Sequence, residues 1–262
     1  MGANKKLEEM KNKRIGEMNY NTYGTLMKII EYNGANDIII EFQDNNHVKK
    51  KVTYGNFKKG NINNPYDKEV FGVGYFGQGK YSSKDENGKN TKAYIQWHSM
   101  LQRCYDPYYL NKEPSYIDCY VEEDLLCFQN FAEWYENEKY YCNGETMCLD
   151  KDILVKGNKV YSKETIILVP KRINSLFVKR QNDRGETPIG TSLIKGGKIR
   201  SHCNNGFGKQ IALGSFNDIY SAWLCYKLNK ELVIQSVANE YKDLIPKKLY
   251  DAMMNYRIEI ND

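Results

Sequence analysis

The chain has 262 residues, long enough for one large domain or two to three small ones, each with a modest core. Hydrophobic residues make up 41% and no apolar run approaches 18 residues, so a membrane span is not expected. With 38 Lys and Arg against 33 Asp and Glu, the net charge of +5 is too small by itself to identify a nucleic-acid binder.

In chain order, residues 1–14 read as a short charged helix or a tail without the apolar segment of a secretion signal. Leu26 to Tyr32, Asp37 to Phe42 and Val48 to Tyr54 are β-type runs parted by Asn- and Gly-containing turns, which predicts a small barrel or curled sheet. Val70 to Asn90 is glycine-rich. It has no Gly-Lys-Ser/Thr ending, so a turn-rich linker is expected rather than a phosphate-cradling loop. Tyr94, Trp97, Leu101 and Cys104 then fall at helical spacing, and Leu126, Phe128, Phe131, Trp134 and Tyr135 mark a second amphipathic helix.

Met147 to Leu154 alternates apolar and charged residues as a strand does. Gly157 and Asn158 make a turn, and Thr165 to Val169 is a second strand ended by Pro170, whose fixed φ suits a helix start. Ile173, Leu176 and Phe177 fall at helical spacing. Beyond Arg184, Thr191 to Leu193, Lys198 to His202 and Gln210 to Gly214 alternate around Gly196-Gly197 and Asn205-Gly206 turns. A helix over Asp218 to Leu228 follows, and Leu244 to Ile260 holds a last short helix.

Charge is unevenly spread along this order. Lys171 to Lys209 carries nine basic residues against two acids, whereas Tyr116 to Glu138 has seven acids and no Lys or Arg. One face or end is therefore expected to be basic and suited to phosphates. The seven cysteines are an odd set without a CxxC, which points to free thiols and a cytoplasmic setting.

The strand, loop, strand, helix order of Met147 to Arg180 resembles the ββα-metal fold of HNH endonucleases. The surrounding pattern, Trp97, Met100-Leu101, Arg103-Cys104-Tyr105, Phe128, Phe131, Trp134 and Leu149-Asp150, resembles phage-encoded HNH-like proteins over roughly Phe71 to Arg180. The resemblance implies a divalent cation, Mg²⁺ or Mn²⁺, held by Asp150 and Asn174, with a catalytic set of Lys151, Asp152 and Asn158. Lysine stands where the family has its histidine base. At neutral pH it is protonated, so Lys151 is better suited to gripping phosphate than to taking a proton. A half-buried strand with a solvated charged face is the plainer reading of the same alternation.

Gly190, Gly197-Lys198, Leu213-Gly214-Ser215-Phe216 and Ala222 to Tyr226 resemble the apetala/ethylene-response-factor type of DNA-binding domain. In that family the sheet lies in the major groove. The expected nucleic-acid contacts are Lys171, Arg172, Lys179, Arg180, Lys195, Lys198, Arg200 and Lys209, with Ser192 and His202 as weaker candidates.

The expectation is thus an α+β chain in three parts. Residues 1–69 form a small β-rich module, 70–184 an HNH-like ββα core with flanking helices, and 185–262 a three-stranded antiparallel sheet with a packed helix. Two functions stay open: a DNA-binding protein of phage or mobile-element type that hydrolyses phosphodiesters, or a degenerate nuclease scaffold. The latter would bind nucleic acid, or block a host defence complex through a host protein partner in the bacterial cytoplasm. No membrane partner is expected.

Overall fold

The structure is a computed structural model, and it describes residues 2–178 and 187–262. The chain is α+β, with a four-stranded sheet in its N-terminal part and a three-stranded antiparallel sheet in its C-terminal part. Its residues fall into two compact units, 1–117 with 121–133, and 118–120 with 134–262. No described helix is long and apolar enough to cross a membrane.

The first unit opens with helix α1 (Gly2–Arg14). An antiparallel meander follows, made of β1 (Met18–Tyr20), β2 (Leu26–Tyr32), β3 (Ile38–Phe42) and β4 (Lys49–Val52). It is an open sheet with two free edges, and the sequence pattern missed its three-residue first strand. Alternation puts Met27, Ile29, Tyr32, Ile38, Ile40 and Phe42 on one buried face, joined by Val48, Phe57 and Ile62. The run Lys49-Lys50-Lys51 forms the β4 edge, where charged side chains discourage further strand pairing. All three ammonium groups have partners: Lys49 meets Glu41, Lys51 meets Asp37, and Lys50 donates to the Asn63 carbonyl. Helix α2 (Tyr54–Lys59) closes the module, started by the Thr53 hydroxyl and stopped by the left-handed Gly60.

Helix α3 (Lys92–Tyr105) begins at Thr91, whose hydroxyl accepts the Tyr94 N–H. It buries Ala93, Trp97, Met100, Leu101 and Cys104. Helix α4 (Pro107–Lys112) and strand β5 (Tyr120–Val121) follow. The acidic segment expected as one helix is two, α5 (Glu123–Leu126) and α6 (Phe128–Glu138), broken at an extended Cys127. Backbone pairing causes the break. Tyr75 N–H donates to the Leu126 carbonyl and Phe128 N–H to the Tyr75 carbonyl, so the glycine-rich segment lies along the gap like a strand.

That segment is therefore packed, not a loose linker. A Cβ at Gly77, whose φ is +71°, would stand 2.6 Å from the Cys127 sulfur, and one at Gly79 would stand 2.2 Å from Gln129 Oε1. The Gln129 amide clamps the segment's end, accepting from Tyr81 N–H at 3.0 Å and donating to the Tyr81 carbonyl at 2.9 Å.

The second unit holds the strand, loop, strand, helix order. Strand β6 (Met147–Asp150) pairs antiparallel with β8 (Ile167–Pro170), from Met147 opposite Pro170 to Asp150 opposite Ile167, and α7 (Lys171–Leu176) follows at once. A two-residue strand, β7 (Val160–Tyr161), lies in the intervening loop. Next come β9 (Thr191–Leu193), β10 (Ile199–Asn204) and β11 (Gln210–Phe216), with β10 central.

Helix α8 (Ile219–Glu240) is capped by Asp218 and runs 22 residues, about twice the length expected. The extension has a reason in packing. Trp223 and Tyr226 cover Cys203 behind the sheet, while Ile234, Val237 and Ala238 enter a core with Ile167, Val169, Ile173 and Leu176. Helix α9 (Lys247–Met254) adds Leu249 and Met253 to that core. The ββα residues and the C-terminal helices thus share one apolar core, on both sides of the expected boundary at 184/185.

Candidate nucleic-acid interface and the ββα loop

Strand β6 stops at Asp150 because that side chain turns back on its own chain. Its Oδ1 accepts the N–H groups of Asp152 and Ile153, both at 2.7 Å, which bends the backbone out of the extended form before the expected strand end at Leu154. Burial raises the Asp150 carboxyl above the usual carboxylate range, against the lowering by those two N–H donors.

Lys151 is 5% exposed. Its Nζ lies 2.8 and 2.9 Å from the two Asp152 carboxylate oxygens and 2.6 Å from the Asn158 carbonyl, with the Tyr161 ring 5.8 Å away. The ammonium is fully occupied inside the loop. Asn158 ties the same loop: its amide donates to the Lys151 and Val160 carbonyls at 3.0 and 2.6 Å and accepts the Val160 N–H at 3.1 Å. These contacts make Lys151 and Asn158 organisers of the loop's shape.

Asn174 sits half-buried on α7, and its side chain has no hydrogen bond to a described residue. Among the described residues no group of three His, Cys, Asp or Glu side chains is placed to hold a metal ion. A cation at the positions the resemblance implies would be met by Asp150, one of whose oxygens is already engaged by two N–H groups, and by Asn174. Mg²⁺ keeps several waters and needs only one or two protein carboxylates, so such an ion would draw most of its shell from water and phosphate.

The chain itself closes over the loop. Lys156 Nζ donates to the Arg257 carbonyl at 2.9 Å and to Asp262 at 2.7 Å, and Tyr256 packs edge-on against Phe177 at 4.8 Å. The Tyr256 phenol is pushed well up by burial and then by Asp262, Asp152 and Asp150.

The three-stranded sheet is different in kind. Its inner face presents Ile199, Ser201 and Cys203, all buried, and its outer face follows from register. Arg200, exposed, lies opposite Ser192 on β9 and Ser215 on β11. A bulge after Ser201 then sets His202 opposite Ala212 and Asn204 opposite Gln210. Small or polar side chains therefore surround one outward guanidinium. Burial, and then the neighbouring Arg200 charge, lower the His202 imidazole below its ordinary value.

Lys195 and Lys198 are exposed at the β9–β10 turn and Lys209 at the β10–β11 turn. The first turn is closed by Ile194 N–H donating to the Lys198 carbonyl at 2.9 Å, and the second by Asn205 N–H donating to the Lys209 carbonyl at 2.9 Å. Of the expected contacts, the sheet thus carries Lys195 and Lys198 at one end of β10, Arg200 on the strand and Lys209 at the other end, and it adds Asn204, Gln210 and Ser215. Alternation along β10 from Arg200 reaches Asn204, but Gln210 and Ser215 lie an odd number of residues apart on β11 and share this face only through the bulge, which the sequence pattern does not announce.

Lys171 is exposed on α7, whereas Arg172 beside it has a structural position. Its Nε donates to the Gly206 carbonyl at 2.9 Å and its Nη1 lies 2.8 Å from Glu240. Lys179 and Arg180 lie outside the described residues. Arg103, in the first unit, lies 5.8 Å over the Tyr116 ring.

No known family, curated protein or solved structure matches this chain.

Proposed function

We propose that this chain is a DNA-binding protein in which the outer face of the three-stranded sheet lies on duplex DNA and the ββα unit serves as its scaffold. The observation that carries the reading is the composition of that face. One exposed arginine is ringed by serine, histidine, asparagine and glutamine, with lysines at both turns and no carboxylate among the paired positions. Phosphate contacts from turn lysines fix register and orientation, and side chains on the strands reach base edges. The major groove admits a two-stranded ribbon, so β10 with one neighbour would enter it while the third strand lies towards the backbone.

The hydrolytic reading has less behind it. A nuclease of the HNH kind needs a base and an open metal position. In this chain Lys151 is bound to Asp152 and Asn158, and the C-terminal residues close over the loop. The degenerate-scaffold reading is therefore the one we adopt.

Electrophoretic shift of a mixed-sequence duplex tests the proposal. The wild-type chain is expected to bind, and Arg200→Ser to bind at least about five-fold more weakly, the lower end for loss of one charged base or phosphate contact. Equal binding by the two would remove the sheet face from the interface. Plasmid incubated with Mg²⁺ or Mn²⁺ is expected to stay intact, and nicking abolished by Asp150→Ala would reinstate the enzyme.

A further inference from the structure

Phe207 is 72% exposed at the tip of the β10–β11 hairpin. An aromatic ring on a turn is usually mobile, but this one is held. The Arg172 guanidinium carbon stands 4.2 Å from its ring centroid, and Arg172 is itself fixed by the Gly206 carbonyl, Glu240 and the Tyr241 ring 5.4 Å away. The backbone beneath the ring is fixed as well. Asn205 Oδ1 accepts the N–H groups of Phe207 and Lys209 at 2.9 and 3.2 Å, and Asn204 Oδ1 accepts that of Gly206 at 2.8 Å.

The residues on either side of the ring are glycines. Gly206 and Gly208 both have φ of +82°, and a Cβ at Gly206 would lie 3.1 to 3.2 Å from Val237 and Val233. The chain neighbours of Phe207 therefore add no side chains beside the ring. In sequence the ring is flanked by Gly206 and Gly208, with Asn205 before them and the exposed Lys209 after, so its chain neighbours offer polar groups and a charge. The result is an exposed, oriented ring with a cation behind one face and a lysine two residues along.

We propose that Phe207 is a stacking platform for an unpaired nucleobase, with Arg172, the ring and the base forming a three-layer sandwich and Lys209 meeting the adjoining phosphate. This rests on the DNA-binding reading above and adds a preference to it: nucleic acid with an unstacked base binds more tightly than a continuous duplex. Every base has a π-face, so the preference is for an unpaired base and not for a sequence. One base stacked on one aromatic ring corresponds to roughly 5- to 100-fold in affinity.

Fluorescence anisotropy on two duplexes tests this, one fully paired and one with a single unpaired 2-aminopurine. The wild-type chain is expected to favour the second by that factor and to quench its 2-aminopurine emission. Phe207→Ala should lose both the preference and the quenching, and Phe207→Trp should keep them. Equal affinity of the wild-type chain for the two duplexes, with salt-sensitive binding to both, overturns the platform and leaves the DNA-binding reading standing. Binding to neither overturns both. An unchanged preference in Phe207→Ala also overturns the platform.

Discussion

Lys151 and Arg172 are both basic residues expected to meet phosphate or nucleic acid, and both turn inward to partners that neutralise them. For Lys151 the partner is next in sequence, at a half-exposed Asp152. Deleting the acid leaves a buried ammonium with no carboxylate beside it, held by neutral groups such as the Asn158 carbonyl, whereas replacing the lysine by an apolar side chain of similar length removes the charge with the need for it. Asp152→Ala is therefore expected to destabilise the second unit by about 1–2 kcal/mol, and more than Lys151→Met does, in urea unfolding. Equal loss in the two variants would count against the inward ammonium.

His202 gives a pH dependence at the same scale. Its folded value is lowered by burial and by Arg200, so its contribution to stability is present above the unfolded value of about 6.5 and is lost as pH falls through the folded value. Thermal midpoints taken from neutral pH down to mild acid should fall more steeply for the wild-type chain than for His202→Gln. Parallel curves would exclude the imidazole as the titrating group.

At the scale of elements, what could be read in the sequence depended on whether a segment's partners lay nearby. The strands β9 to β11 are hairpin-linked, and their alternation and glycine turns set both position and order; β9 spans the residues expected from the pattern. The order of β6, β8 and α7 was legible for the same reason. The break between α5 and α6 was not, because it is imposed by Tyr75, some 50 residues earlier, and no local signal at Cys127 announces it. The length of α8 was likewise hidden, since its second half is helical in order to bury Ile234 and Val237 against residues far away in sequence. In the candidate interface, Lys198 and Arg200 were legible as exposed positions on a strand and its turn. The capture of Arg172 by Glu240 and Gly206 was not, because neither partner is a sequence neighbour. Tight packing of the glycine-rich segment makes its own prediction. Gly77→Ala combines a positive φ with a sulfur 2.6 Å from the new methyl, and a loss of about 1–3 kcal/mol or more in chemical denaturation of the first unit is expected. A neutral substitution would show that the segment does not rest against Cys127.

Over the whole molecule, the small net charge conceals two different uses of lysine. In the N-terminal meander the Lys49-Lys50-Lys51 run is consumed by Glu41, Asn63 and Asp37, so its basicity guards a sheet edge. On the C-terminal sheet Lys195, Lys198, Arg200 and Lys209 have no described acid bridged to them, and their charge is available to a polyanion. A helix that serves both the sheet and the ββα core gives that face a rigid backing, as a binding surface requires. The most direct test is the salt dependence of duplex binding by the wild-type chain and by a variant with those four residues changed to serine. If the four neutralise phosphates, the logarithm of affinity should fall against the logarithm of salt with a slope of about −3 to −4, and the variant's slope should collapse towards zero. Binding that ignores salt, or a variant with the wild-type slope, would contradict the account.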